Sequence, residues 1–492
     1  LISPLDLRIG MLMHRLILAL VGGALLAGCQ IMGGAPDKVE PVAVISPPRS
    51  PNPAEEAIGA RENPRVVAEY GGIYSDPEVE AATARVVSRL VSASADPSRH
   101  YKITILNSPV ANAFALPGGY LYVTRGLIAL TSNSSELAAV LSHEMAHVLA
   151  NHALARAKVA ENADIVERVA NDVISDPGQS QSARADSRLS LATFSRNQEV
   201  EADRVGIQIA GRAGFDPFAA SRFLDKLEAY AAFRSALGKR DEAQSFLASH
   251  PAAMARRDLA VVAARQFGAP GIGAQNPDAH LAALDGMVYG DDPSEGFVRG
   301  REFLHPRLAI GFRVPEGFRL ENTKEAVLAA AGEDTAMRFD GVTVDAALAP
   351  TEYLASGWIN GLIEGSIRAA NVDGLPAATA DAAAGDWVFR VGAVRVGGSM
   401  YRLIFADRAD GAGIEQALSD TLASFHRLSP SEIARLSPLR IDVVAVRPGD
   451  TIASLAARME GTERKAELFR LLNGLQPEDR LVPGQEVKLV AE

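Results

Sequence analysis

One hexapeptide constrains this chain more than any other stretch: Ser142-His143-Glu144-Met145-Ala146-His147, an H-E-x-x-H. On a helix, positions i and i+4 share a face, so His143 and His147 aim at one point. The run from Glu136 to His152 has strong helix formers and neither Gly nor Pro, and Asn133 with Glu136 three residues later reads as a helix start. Two neutral imidazoles plus one carboxylate make a catalytic zinc site with a fourth position open to water. Zinc brings the pKa of that water toward neutrality, and Glu144 can take its proton as it attacks a peptide carbonyl. The pattern needs a third ligand.

A candidate follows in Phe194-Ser195-Arg196-Asn197-Gln198-Glu199-Val200-Glu201-Ala202-Asp203-Arg204-Val205-Gly206. Glu199 and Asp203 are four apart, on one face of a second expected helix. One carboxylate to ligate zinc and another to orient a ligand histidine is the arrangement such sites need. By chemistry alone Glu201 also fits a ligand. His152 sits five residues past His147, about 140° away around a continuing helix, and reads as structural.

H-E-x-x-H followed by S-R-x-x-E-x-E-A-D-x-x-G resembles the HtpX and CAAX-prenyl-protease type of zinc metallopeptidase, over residues 60–260. Within it, the chain looks most like the soluble periplasmic, β-barrel assembly-enhancing branch. The resemblance implies one Zn2+ held by His143, His147 and Glu199, with Glu144 as base and Asp203 behind the ligands. It also singles out His250-Pro251, followed by Arg256: in that branch a histidine at the matching place acts as a reversible plug on the fourth position. The competing reading is that His250 only caps or packs at a helix end, since Pro251 favours an extended conformation before it.

The remaining chain of 492 residues allows several domains, and its 48% hydrophobic content can fill their cores. A net charge of −11 argues against a general nucleic-acid binder. The single cysteine excludes an intrachain disulfide. That residue, Cys29, ends Leu26-Ala27-Gly28-Cys29 after an apolar run from Leu16 that is short for a bilayer span. Residues 1–29 resemble a signal peptide with a lipobox, which implies lipidation at Cys29, a membrane held by acyl chains, and a periplasm-facing place in the bacterial envelope, at the outer membrane. Residues 30–60 are Pro-rich and are expected to be an extended tether.

The peptidase domain is expected over 61–265, mainly helical with a small sheet: a helix from Glu78, a strand over 101–106, and two strands around Pro117-Gly118-Gly119. Asn112, Ala113, Phe114, Ala115 and Leu116 are the candidate edge that pairs with a substrate backbone. Helix is expected over 153–175 and a polar loop over 176–186. A linker spans 266–304. Residues 305–430 mix strands with helices at 350–369 and 414–425, an α+β sandwich loosely resembling Mog-one/PsbP domains. Residues 440–492 read strand, helix, helix, strand, which resembles a LysM module, with Asn473 and the Pro483-Gly484-Gln485 turn matching its pattern; that implies peptidoglycan as a partner through 440–492, the alternative being a purely structural module. The chain is thus a multidomain α+β protein. Its expected function is zinc endopeptidase cleavage of unfolded or misassembled envelope proteins. The alternative is a peptidoglycan-anchored assembly factor or chaperone with a latent metal site.

Overall fold

The computed structural model describes residues 53–153, 155 and 196–492, the last range without 238–244, 252–253, 324–325, 333, 364 and 409–410. The leader-like stretch with Cys29, nearly all of the helix expected over 153–175, and the loop over 176–186 lie outside the described residues.

Helix α1 (Pro53–Glu69) begins inside the stretch expected to be extended. Pro53 stands in its first turn, where a missing N–H costs nothing, and Ala54-Glu55-Glu56-Ala57 are good helix formers. Helix α2 (Pro77–Ala93) is capped by Asp76, which accepts from the N–H groups of Glu78 and Val79, and it buries Val79, Val86, Val87 and Leu90. Three strands follow, β1 (Lys102–Leu106), β2 (Ala113–Leu116) and β3 (Tyr120–Thr124), in the order β1-β3-β2. The expected turn joins β2 to β3: Gly118 and Gly119 have φ of 85° and 83°, which side-chain-bearing residues resist. β2 is therefore an edge, antiparallel to the buried β3. Val66, Val67 and Tyr70 pack against Phe114, Leu116, Tyr120 and Tyr122 on the outer face of this sheet.

On the inner face lie short α3 (Arg125–Leu130) and α4 (Ser134–Leu149). Every residue of α4 from Ser135 to Val148 is buried, so it is the central helix of the core. Around it stand α5 (Arg196–Arg212), α6 (Ala219–Ala236), α7 (Phe246–Ser249), α8 (Met254–Ala264) and α9 (Pro277–Leu284). Helix α9 falls within the segment read as a linker.

Residues 297–427 form β4 (Phe297–Arg299), β5 (Glu302–His305), β6 (Ile310–Arg313), β7 (Arg319–Asn322), β8 (Val327–Ala331), β9 (Thr335–Thr343), α10 (Pro350–Leu354), β10 (Arg368–Val372), β11 (Leu375–Ala384), β12 (Trp387–Val396), β13 (Ser399–Asp407), α11 (Ala412–Ser424) and β14 (His426–Arg427). A seven-stranded sheet runs β10-β11-β12-β13-β9-β8-β7 and a four-stranded one β14-β6-β5-β4. Phe303 and Phe312 of the small sheet share a core with Phe339, Leu403 and Phe405 of the large one and with Ile414, Leu418 and Leu422 of α11. The helix expected over 350–369 stops at Leu354, because Gly357, Gly361 and Gly365 take φ of 86°, 77° and 82° and the chain then enters β10.

A short helix α12 (Pro430–Ile433) leads to β15 (Arg440–Ala445), α13 (Ile452–Ala457), α14 (Lys465–Asn473) and β16 (Glu486–Ala491), with the strands antiparallel. This unit is fused to the core around α4. The N–H of Gly286 donates to Ile441 O at 2.8 Å, and that of Ile441 to Met287 O at 2.9 Å, so residues 286–287 extend its sheet. Phe469 and Leu472 join the core that holds α4. Fully buried Lys488 donates to the carbonyls of Ala129 and Thr131, both at 2.6 Å, which uses the free backbone acceptors at the end of α3. Beside it Lys226 donates to Glu136 Oε2 at 2.6 Å and Leu130 O at 3.0 Å. Burial and the neighbouring Lys226 push the Lys488 ammonium well below its ordinary value, with Glu136 opposing. Asn473 has a structural use: its amide donates to Phe469 O and Lys488 O, both at 2.9 Å, and its oxygen accepts from Lys488 N at 2.7 Å.

Lys488→Ala should therefore leave two buried carbonyls without a donor and cost about 2–4 kcal/mol in urea unfolding. Lys465→Ala, at an outward position of the same unit, should stay within about 0.5 kcal/mol.

Candidate metal centre

The centre is built where α4 and α5 touch. Gly206 makes the approach close enough: a Cβ there would lie 2.9 Å from the backbone nitrogen of His143. One and two turns back along α5, Asp203 and Glu199 then face the imidazoles of α4.

His143 Nδ1 donates to Asp203 Oδ1 at 2.9 Å. Asp203 is charged at neutral pH: burial would raise its pKa, but the Arg256 and His143 hydrogen bonds outweigh that and bring it down to about 2. Burial pushes the His143 imidazole below its ordinary value against the pull of Asp203, so the ring is neutral. With its proton on Nδ1, His143 presents a bare lone pair at Nε2. His147 Nδ1 faces His152 Nδ1 at 3.0 Å, while His152 Nε2 lies 3.4 Å from Glu201 Oε2. The carboxylate draws the His152 proton to Nε2, so His152 Nδ1 accepts from His147 and leaves His147 Nε2 bare too. The two Nε2 atoms are 3.0 Å apart. Two lone pairs at that distance repel unless a cation lies against both.

Glu199 completes the set, its carboxylate oxygens 3.4 Å from His147 Nε2 and 3.6 Å from His143 Nε2. Burial raises its pKa, and His143 and Arg256 oppose the rise. His250 Nδ1 stands 3.0 Å from Glu199 Oε1 and 3.3 Å from His143 Nε2. Donor atoms of His143, His147, Glu199 and His250, all buried, lie within 4.8 Å of one another. Imidazoles and a carboxylate in a tetrahedral-sized cluster fit zinc better than calcium or magnesium, which take oxygen ligands.

Glu144 is buried on the same helix, with Oε1 3.5 Å from His250 Nε2. Arg256 binds Asp203 with two hydrogen bonds of 2.8 Å, reaches Glu199 Oε2 at 2.7 Å, and donates to Pro251 O at 2.9 Å. One guanidinium thus ties both acidic residues to the segment that carries His250. That segment also meets the sheet: Phe246 N donates to Ala111 O at 3.0 Å. A cavity of ≈ 160 Å³ opens beside Glu144 and His147, walled by Phe114, Leu116, Val148 and His250.

Of the expected residues, the fold brings His143, Glu144, His147, Glu199, Asp203, His250 and Arg256 into one cluster, with Ala113 to Leu116 at the sheet edge beside it. Asn112 precedes the strand and is buried, its amide donating to the Tyr70 hydroxyl at 3.1 Å. Glu201 turns to His152 and stands outside the donor set. Placing His152 about 140° from His147 assumed a helix that runs on. Instead α4 ends at Leu149, and Asn151 takes a left-handed φ of 54°, which returns His152 to His147. The signal was an Asn in the right place, since Asn tolerates that conformation.

A model of peptidase family M48 matches residues 77–260. The segment is a peptidase family M48 domain. The chain is 30% identical over 193 residues to the mitochondrial metalloendopeptidase OMA1 of Schizosaccharomyces pombe, covering 39% of this chain and 55% of that protein. It is 33% identical over 163 residues to the β-barrel assembly-enhancing protease of Yersinia pestis, covering 31% and 33%, and 32% identical over 165 residues to that of Escherichia coli K12, covering 32% and 34%. The chain thus spans about half of the first of these relatives and about a third of the other two. A solution structure of cyanobacterial PsbP from Synechocystis aligns with 28% of this chain and 98% of its own at 17% identity, with a TM-score of 0.22. The cluster described above lies wholly within the M48 domain.

Removing the guanidinium that serves Asp203 and Glu199 should be costly. In metal-free protein, Arg256→Ala is expected to lose about 3–5 kcal/mol at neutral pH, because two buried carboxylates lose their partner. Asp203 has a folded pKa of about 2 against an ordinary 3.8, so its contribution is complete above 3.8 and is lost as pH falls toward 2. Urea unfolding of both proteins across that window should show the gap between them narrowing.

Proposed function

We propose that the chain is a zinc-dependent endopeptidase of the bacterial envelope that cleaves misfolded or unassembled periplasmic and outer-membrane proteins. The observation that carries the reaction class is the convergence of Nε2 of His143 and Nε2 of His147, 3.0 Å apart, with the Glu199 carboxylate, while the buried Glu144 next to His143 can serve as base. His143, His147 and Glu199 would hold the zinc. When bound, zinc supplies Lewis acidity that polarises a peptide carbonyl and makes water acidic near neutral pH. Glu144 takes the proton from the attacking water and passes it to the leaving amine, the role its place beside the ligands suits. Asp203 and Arg256 keep the acidic ligand and His143 oriented.

The substrate chain would be held by main-chain pairing. Thr124 N donates to Asn112 O at 2.9 Å, so alternation makes Ala113 and Ala115 turn their N–H and C=O groups toward the open edge of β2. A strand added there runs past the metal centre with little side-chain selectivity, which suits unfolded substrates. Ala111 faces the same way, and its carbonyl already accepts from Phe246. The segment carrying His250 therefore shares the substrate's edge. His250, among the donors and 3.5 Å from the base, is in position to act as a reversible plug.

The envelope location rests on the lipobox-like Leu26-Ala27-Gly28-Cys29 and on the names of the bacterial relatives. Among the described residues no helix is long and apolar enough to cross a membrane. Peptidoglycan remains a candidate partner of residues 440–492, whose loops at Arg447–Gly449 and Val482–Gly484 are exposed.

Casein cleavage and zinc content, measured together, test the roles. Glu144→Gln should keep zinc and lose turnover by about 10²–10⁴-fold, whereas Glu199→Ala should lose both. Equal zinc loss in the two variants would overturn the assignment. At matched zinc occupancy, His250→Ala should raise the basal rate; a lower rate would make His250 a substrate-positioning group, and an unchanged rate a structural one.

A further inference from the structure

The two histidines of α4 are supported by different chemistry. His143 leans on a charged carboxylate, itself held by an arginine. His147 leans on another imidazole. Resting on the metal-centre reading above, we propose that His152, backed by Glu201, is the positioning residue for His147. It fixes the ring and the tautomer that present Nε2 to zinc.

Three observations carry this. First, the backbone is bent to make the contact. The N–H of Ala150 closes the helix on Ala146 O and Val148 O, and Asn151 then adopts its left-handed φ of 54°. Without that break, His152 would lie about 140° around the helix from His147. Second, the contact is directional. Nδ1 meets Nδ1 at 3.0 Å, with the rings 4.9 Å apart and edge-on at 73°. Only one of those nitrogens can carry the shared proton. Third, the next contact decides which. His152 Nε2 faces a carboxylate at 3.4 Å, so His152 is donor to Glu201 and acceptor from His147.

His152 is 4% exposed, so it cannot meet substrate directly, and it lies outside the converging donor set. A packing role would need the ring but neither nitrogen. The positioning role needs an acceptor at Nδ1, and Asn offers one at nearly the same place. Ligand histidines in zinc sites depend on such partners, whose removal typically weakens the metal by about 10–100-fold.

The test is zinc affinity of the full chain by chelator competition, with the electronic absorption spectrum of the cobalt-substituted protein as a second readout. His152→Phe keeps a buried ring without nitrogens and should weaken zinc by about 10–100-fold and alter the cobalt spectrum. His152→Asn should stay within about threefold of wild type and keep the spectrum. Glu201→Ala, at a half-exposed position that folding tolerates, should weaken zinc by about threefold to tenfold. If His152→Phe does not fold, the contrast between His152→Asn and Glu201→Ala decides. Wild-type affinity in both His152→Phe and Glu201→Ala, with zinc still lost in His143→Ala, would overturn the relay and leave the metal centre standing. Zinc affinity unchanged in His143→Ala would instead overturn the metal-centre reading itself.

Discussion

The centre depends on one contact without side chains, Gly206 of α5 against the backbone of His143 in α4. Any larger residue would push the helices apart at the point where ligands must meet. The carboxylates at 199 and 203 are useful only because that approach is so close. Once the helices touch, charges from both are buried together, and the cost of burying them dictates the rest. Arg256 is needed for Asp203 and Glu199, Lys226 for Glu136, and Lys488 for the carbonyls beside it. Each of these cations comes from a different element, so the polar network and the tertiary structure specify each other.

Parts of this were legible in sequence because they depend on local spacing. H-E-x-x-H needs only a helix, and Asn133 did cap it, accepting from Glu136 N. The strands about Pro117-Gly118-Gly119 followed from turn chemistry. Choosing Glu199 over Glu201 required more, because both are carboxylates on one helix. Only the angle of α5 against α4 separates them, and that angle is a tertiary fact. The contact of His152 with His147 was not legible for a related reason. Periodicity assumes the helix continues, and a single left-handed Asn151 cancels the assumption. The end of the helix at Leu354 was missed likewise: three glycines spaced four apart fit a helical pattern by number but not by backbone conformation.

The fusion of residues 440–492 to the core was not legible at all. Their element order could be read, but a lysine in a strand ordinarily signals a solvent face. Lys488 is instead wholly buried, satisfied by carbonyls more than three hundred and fifty positions away in sequence. Asn473, which the sequence singled out as part of the LysM-like pattern, joins α14 to β16. The unit therefore reinforces the start of the helix that carries His143 and His147.

The central claim is that His143, His147 and Glu199 form a zinc site. Anomalous diffraction on either side of the zinc absorption edge, from crystals of the full chain grown with one equivalent of the metal, tests it directly. The account predicts one strong zinc peak per chain, bounded by Nε2 of His143, Nε2 of His147 and the Glu199 carboxylate. A peak elsewhere, or zinc-loaded crystals with none between those three side chains, would contradict it.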